Sequence, residues 1–258
     1  MIYAVNMTCD RDWDLKDLMT KTLLKHSPSG TRIVSHNTDC LSGDYTNGSG
    51  WQASMMKVDA IKQLLNENNI QDTDFILSVD SDVVFTNPEV FKYVNPEYGI
   101  IGIKHRPEYY TMHGSWSHMS GALIFIRGDI AKKIVALTEN ELTNIRFNHF
   151  KPYSLTENED VVLSYLSKCV GATWFDLGTV PGLSSGDFES DVEVSYLSKG
   201  VNIYCWYTNT GKDALITARP NQMRSFYHLN YCPTQFLGEP ITGKWQIPSV
   251  LKKKGIEL

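Results

Sequence analysis

Two carboxylates set two residues apart, Asp80 and Asp82, stand at the end of the apolar run Phe75-Ile76-Leu77-Ser78-Val79. A short run of this kind behind the polar stretch 71–74 predicts a buried strand, so the acids fall where the chain leaves the core. In extended chain they point to the same side with Cα atoms roughly 6.5–7 Å apart. Carboxylates that close repel unless a cation or a shared proton lies between them. A hard divalent ion with oxygen ligands, which also grips a diphosphate, is the most economical solution. Solvated acids at a strand end or an Asx turn would produce the same triplet, so the surrounding sequence has to choose.

Further chemistry-bearing residues follow in order. Ser120-Gly121-Ala122-Leu123 opens an apolar run, and the glycine could equally serve only to start a strand. Thr156-Glu157-Asn158-Glu159 matches a capping box, which predicts a helix with Val162, Leu166 and Cys169 on its buried face. That match offers Glu159 a purely structural task and leaves Asp160 at the helix start. His228 lies in Phe226-Tyr227-His228-Leu229-Asn230. Between 105 and 120 the chain carries His105, His113, His118, Tyr109, Tyr110 and Trp116, which suits a sugar-stacking or substrate-covering loop.

The elements that must place these residues come from periodicity. An apolar strand over 2–7 is followed by helical spacing at Leu15, Leu18, Met19 and Leu23, and Ser27-Pro28-Ser29-Gly30 stops that helix. A strand over 32–35, a helix marked by Trp51, Met55, Val58, Ile61 and Leu65, and the strand at Phe75 complete a β-α-β-α-β order. That order predicts a parallel sheet with right-handed crossovers and ligands at the carboxyl ends of its strands. Thr8, Asp10 and Asn37 are at such ends; if a nucleotide is held there, they are candidates for its base and ribose, and Lys57, on the second helix, is a candidate for a phosphate. Beyond them the sequence predicts a short helix at 88–93, strands at 98–104 and 121–127, and a helix at 129–144. Strands at 172–175 and 201–207 follow more weakly. The whole of 1–258 is expected to form one domain, 1–104 as its nucleotide-binding half and 105–258 as its acceptor and catalytic half.

Composition bounds the function. At 258 residues, 42% hydrophobic and 21% charged, the chain can bury an ample core. A net charge of −5 gives no electrostatic footprint for nucleic acid, and Lys252-Lys253-Lys254 reads as a solvated basic run. Strand-like sequence from Ile2 leaves no signal peptide, and no apolar run approaches the ~20 residues that span a bilayer. Five cysteines without a C-x-x-C spacing read as reduced thiols in a cytoplasmic protein.

Taken together and in order, Asp80-Ser81-Asp82, Ser120-Gly121-Ala122-Leu123, Glu159-Asp160 and His228 resemble the shared core of the GT-A glycosyltransferases. These are Rossmann-like nucleotide-diphospho-sugar transferases with a central, mostly parallel sheet flanked by helices. Val83-Val84-Phe85-Thr86-Asn87-Pro88 and Glu159-Asp160-Val161-Val162-Leu163 are similar to the fringe and β-1,3-galactosyltransferase branch. The resemblance covers about the first 230 residues. It implies a metal-dependent transfer of a sugar from a nucleotide diphosphate, UDP by family habit, to an acceptor hydroxyl. Asp80, Asp82 and His228 would hold Mn²⁺ or Mg²⁺; the nitrogen ligand favours Mn²⁺. Ser81 and Gly121 would line the donor site. Asp160, with Glu159 beside it, would be the general base. One base without a nucleophile implies inversion.

Gly243-Lys244-Trp245 partly echoes the glycogenin-like retaining enzymes, which keeps a retaining mechanism open. A different class also fits part of the pattern. Leu77-Ser78-Val79-Asp80-Ser81-Asp82-Val83 matches the nucleophile motif of haloacid-dehalogenase-type phosphatases, with Asp80 as the phosphorylated residue. Gly186-Asp187-Phe188-Glu189-Ser190-Asp191 imitates their acidic motif. That motif belongs on a first strand, and here two strand–helix units precede it. The acceptor is unspecified: a glycan, a small molecule or, in a virus, a modified DNA base.

Overall fold

The computed structural model describes residues 1–8, 13–37, 50–81, 83–85, 88–105, 117–150, 157–180, 201–203, 226–228, 235–236, 239–240 and 246–255, some of them by backbone alone. It is a mixed α/β structure. The described residues fall into two compact units. Three of the boundaries between them lie within strands, at 7/8, 79/80 and 175/176, and none at residue 104.

The first unit is built on a six-stranded sheet of order β2-β1-β3-β6-β5-β7. Its strands are β1 (Ile2–Thr8), β2 (Arg32–Asn37), β3 (Phe75–Asp80), β5 (Ile100–His105), β6 (His118–Arg127) and β7 (Trp174–Asp176). β6 runs antiparallel to both β3 and β5, so those two share a direction. The helices are α2 (Gly50–Glu67), α3 (Gly128–Val135), α4 (Glu139–Ile145) and α5 (Glu159–Cys169), with a π-helical turn at Arg146–Phe150. Buried residues of α2 include Ala53, Val58, Ile61 and Leu64, one apolar face at helical spacing. In α5 every residue from Val161 to Leu166 is buried, because α2, α3 and β6 all pack around it. Its buried hydroxyls are satisfied: Ser164 Oγ accepts the Met119 N–H at 2.9 Å, and Ser167 Oγ accepts Trp174 Nε1–H at 3.2 Å.

The second unit contains α1 (Trp13–His26), β4 (Val83–Phe85) and a 3-10 turn (Glu89–Tyr93), together with β8 (Val201–Ile203) and β9 (Phe226–His228). Strand order is β4-β9-β8, with β4 antiparallel and β8 parallel to β9. α1 packs on β4, where Thr22 Oγ1 accepts the Phe85 N–H at 3.2 Å. Phe85 stacks on Phe91 with ring centroids 5.5 Å apart. Val83, Val84 and Phe85 are fully buried.

Several expectations change. The expected helix over 129–144 is two helices, because Thr138 caps α4 and completes a capping box with Glu141. α5 begins at Glu159 with Asn158 as N-cap, whose side chain makes no capping hydrogen bond; Thr156, where the sequence predicted a capping box, lies outside the described residues. β6 starts at His118, three residues earlier than the sequence suggests. Of the aromatic- and histidine-rich segment, 106–116 lies outside the described residues.

Arg127, at the end of β6, donates from Nε to Asp129 Oδ1 and from Nη2 to Oδ2, at 2.5 and 3.0 Å. These bonds hold the Asp129 carboxyl below its ordinary value of 3.8. A carboxylate depressed in the folded state contributes stability that is complete above its unfolded value and is lost as pH falls through the folded one. Arg127→Gln is therefore expected to lower the unfolding free energy near neutral pH, with the gap to the parent narrowing as pH falls through the carboxylate range. Urea denaturation at several pH values measures this; a gap independent of pH would separate the ion pair from the effect.

Candidate active site

In the second unit the site begins with the triplet. β3 ends at Asp80, Ser81 lies buried in a turn, and the chain re-enters a strand at Val83. The extended-chain spacing assumed for Asp80 and Asp82 therefore does not run through the triplet, since Ser81 turns between two strands of different sheets. Asp82 itself lies outside the described residues. The β4–β9 ladder pairs Val83 directly with His228. Two segments far apart in sequence, the acidic triplet's exit and the predicted histidine, are thus register partners. Two carboxylates and an imidazole are a donor set suited to Mn²⁺ and less so to Mg²⁺. Among the described residues, which do not include Asp82 or the His228 side chain, no group of three metal-ligating side chains occurs.

Thr8 ends β1 and is buried, and Asn37 ends β2; Asp10 lies outside the described residues. Sequence reasoning passed over Asn6, a fully buried amide within β1. Its Nδ2 donates to the Val79 carbonyl at 2.8 Å, one residue before Asp80. A lone Asn in an otherwise apolar strand is the signal that could have found it, because a buried amide needs a partner. Asn6→Leu keeps the branched shape and the number of side-chain heavy atoms but removes that donor, with an expected loss of about 1–3 kcal/mol. An unchanged urea midpoint would show that this bond carries nothing.

The first unit supplies the acids of α5. Asp160 Oδ1 accepts the Val161 N–H at 2.8 Å, and Oδ2 lies 3.6 Å from Nε2 of the buried His118. A helix start favours a negative charge there. Gly121 passes beneath this carboxylate: a Cβ on it would stand 3.3 Å from Asp160 Cβ and 3.7 Å from Oδ2. β6 reaches this place because its register with β5 shifts between Gly102 and Lys104, which redirects His118 and Met119.

Glu159, expected beside Asp160 in catalysis, meets Lys57, whose Nζ lies 2.6 Å from Oε1. Lys57, expected at a phosphate, is 2% exposed. Glu157 is held as well: Arg146 donates to both its carboxylate oxygens, at 2.7 and 2.8 Å, while its guanidinium lies over Trp51. The structure thus brings together Asp160, Glu159, Lys57 and Gly121 in one unit, and Asp80, Ser81 and the His228 backbone in the other.

No protein-family model and no curated protein matches the sequence. Solved structures do. Mouse xyloside xylosyltransferase 1 in its apo form is similar with a TM-score of 0.50 and 9% identity, covering 90% of this chain and 98% of that one. The glycosyltransferase GlyE of Streptococcus pneumoniae TIGR4 is similar with a TM-score of 0.51 and 10% identity, covering 100% of this chain and 66% of that one. A glycosyltransferase involved in glycosylation of the major capsid of PBCV-1 matches with a TM-score of 0.48 and 14% identity, over 89% of this chain and 94% of that one. The chain has the fold of the first two of these structures, both glycosyltransferases, in keeping with the GT-A fold that the resemblance implied. Among the described residues no helix is long and apolar enough to cross a membrane.

Proposed function

We propose that the protein is a metal-dependent glycosyltransferase that moves a sugar from a nucleotide diphosphate, with UDP as the nucleotide, to an acceptor hydroxyl with inversion. The observation that carries this reading is the pairing of Val83 with His228, which joins the histidine's strand to the strand that leaves Asp80-Ser81-Asp82. Asp80, Asp82 and His228 would hold the divalent ion, which supplies charge neutralisation to the departing diphosphate. Asp160 takes the proton of the acceptor hydroxyl as that oxygen bonds to the anomeric carbon and the bond to the diphosphate breaks. Thr8, Asp10 and Asn37 are proposed for the base and ribose, and Ser81 and Gly121 for the donor.

Binding tests the metal role without any acceptor. UDP with Mn²⁺ at about 100 times its Kd is expected to raise Tm by ~5–10 °C. UDP alone is expected to raise it little, and Asp82→Ala to erase the metal-dependent part. Stabilisation of equal size without metal would defeat the assignment. Phosphate release from a phosphomonoester, with no response to nucleotide, would favour the phosphatase reading of Asp80.

A further inference from the structure

We infer that the buried pair of Lys57 and Glu159 is a positioning device that aims the Asp160 carboxylate, and that Lys57 is not a phosphate ligand. This rests on Asp160 being the base. Gly50, Ser54 and Lys57 lie at successive turns of α2 and form one stripe along the helix. All three meet the chain that enters α5. A Cβ on Gly50 would stand 2.8 Å from the Glu157 carbonyl oxygen. Ser54 Oγ donates to the same oxygen at 3.0 Å. One turn further, Lys57 Nζ reaches Glu159 Oε1 at 2.6 Å.

The position of Lys57 within α2 is what gives this contact meaning. It shares its buried face with Ala53, Val58, Ile61 and Leu64, where packing alone would select an aliphatic residue. Burying an ammonium is costly unless a carboxylate matches it, and a buried pair of this kind specifies geometry more than it adds stability. Glu159 is the first residue of α5 and Asp160 the second. Holding residue 159 from α2 therefore sets where the next Cα stands over Gly121 and beside His118. A shift of ~1 Å in a reacting group can cost roughly 100-fold in rate.

The test compares Lys57→Met, Lys57→Arg, the double variant Lys57→Met/Glu159→Met and Asp160→Asn. The readouts are UDP release from UDP-sugars in the presence of Mn²⁺, calorimetric binding of UDP with Mn²⁺, and urea stability. Lys57→Met is expected to lower kcat by roughly 10–100-fold with KM for the donor and Kd for UDP little changed. Lys57→Arg should restore most of kcat. The double variant should recover stability, since no buried charge is left alone, yet remain slow; a merely structural pair would recover both together. A rise in Kd for UDP with Mn²⁺ on Lys57→Met, with kcat unchanged, overturns the inference in favour of a phosphate contact. An unchanged kcat and Kd overturns it too. If Asp160→Asn keeps full turnover, or the unsubstituted protein releases no UDP from any UDP-sugar, the underlying reading fails instead.

Discussion

Asp160→Asn is expected to lower turnover by roughly 10²–10⁴-fold, the range a positioned general base supplies. The substitution is nearly isosteric. An amide oxygen can still accept the Val161 N–H where Oδ1 accepts it at 2.8 Å, and the side chain still fits over Gly121, whose hydrogens leave it room. What disappears is the ability to take a proton. Metal-dependent binding of UDP is therefore expected to persist at the parent Kd, because the proposed ligands Asp80, Asp82 and His228 are untouched. The decisive pair of measurements is kcat against Kd for UDP with Mn²⁺. Loss of both together would point to a donor-binding role for this carboxylate, and retention of both would remove Asp160 from the chemistry.

The largest effect on stability is expected at Gly128, where β6 turns into α3. Its N–H donates to the Asp74 carbonyl at 2.8 Å, and the next N–H, of Asp129, donates to the Asp72 carbonyl at 3.2 Å. The two backbones lie so close that a Cβ at 128 would overlap the Gln71 carbonyl oxygen, with Ile70 Cγ2 3.4 Å away. Backbone cannot rotate aside as a flexible side chain can. Gly128→Val must therefore separate the 70–74 turn from α3 and lose those bonds, for about 3 kcal/mol or more. Against a total of ~5–15 kcal/mol for a domain, that is a large fraction. Urea denaturation is the measurement, and a midpoint within error of the parent would show that the turn yields freely. Because 70–74 leads directly into β3, the same variant is expected to weaken binding of UDP with Mn²⁺.

Much of this architecture was legible in the residues alone. The apolar run before Asp80 is β3, and the spacings of Leu18, Met19 and Leu23 and of Val58, Ile61 and Leu65 are α1 and α2. Such features are local: strand and helix periods are written in neighbours two to four positions apart, and burial of the apolar face follows from them. The acids at the start of α5 were equally visible. What the local pattern around Glu159 could not show is that its carboxylate meets Lys57, 102 residues away. Lys57, expected at a phosphate from its place on the second helix, meets that carboxylate only through the packing of α2 on α5.

Other features depended on tertiary structure alone. The chain leaves one sheet at Asp80 and joins another at Val83, whereas periodicity reports extended chain without saying which partner it pairs with. His118 belongs to β6 and faces Asp160 because a register shift against β5 turns the strand's beginning toward α5. The pairing of Val83 with His228 is likewise a product of the β4–β9 ladder. Residue types and short spacings determined that this chain holds paired acids on an α/β scaffold. Long-range pairing decided which of them remain available for chemistry, because only the folded chain brings opposite charges, strand partners and excluded volume to bear on one another.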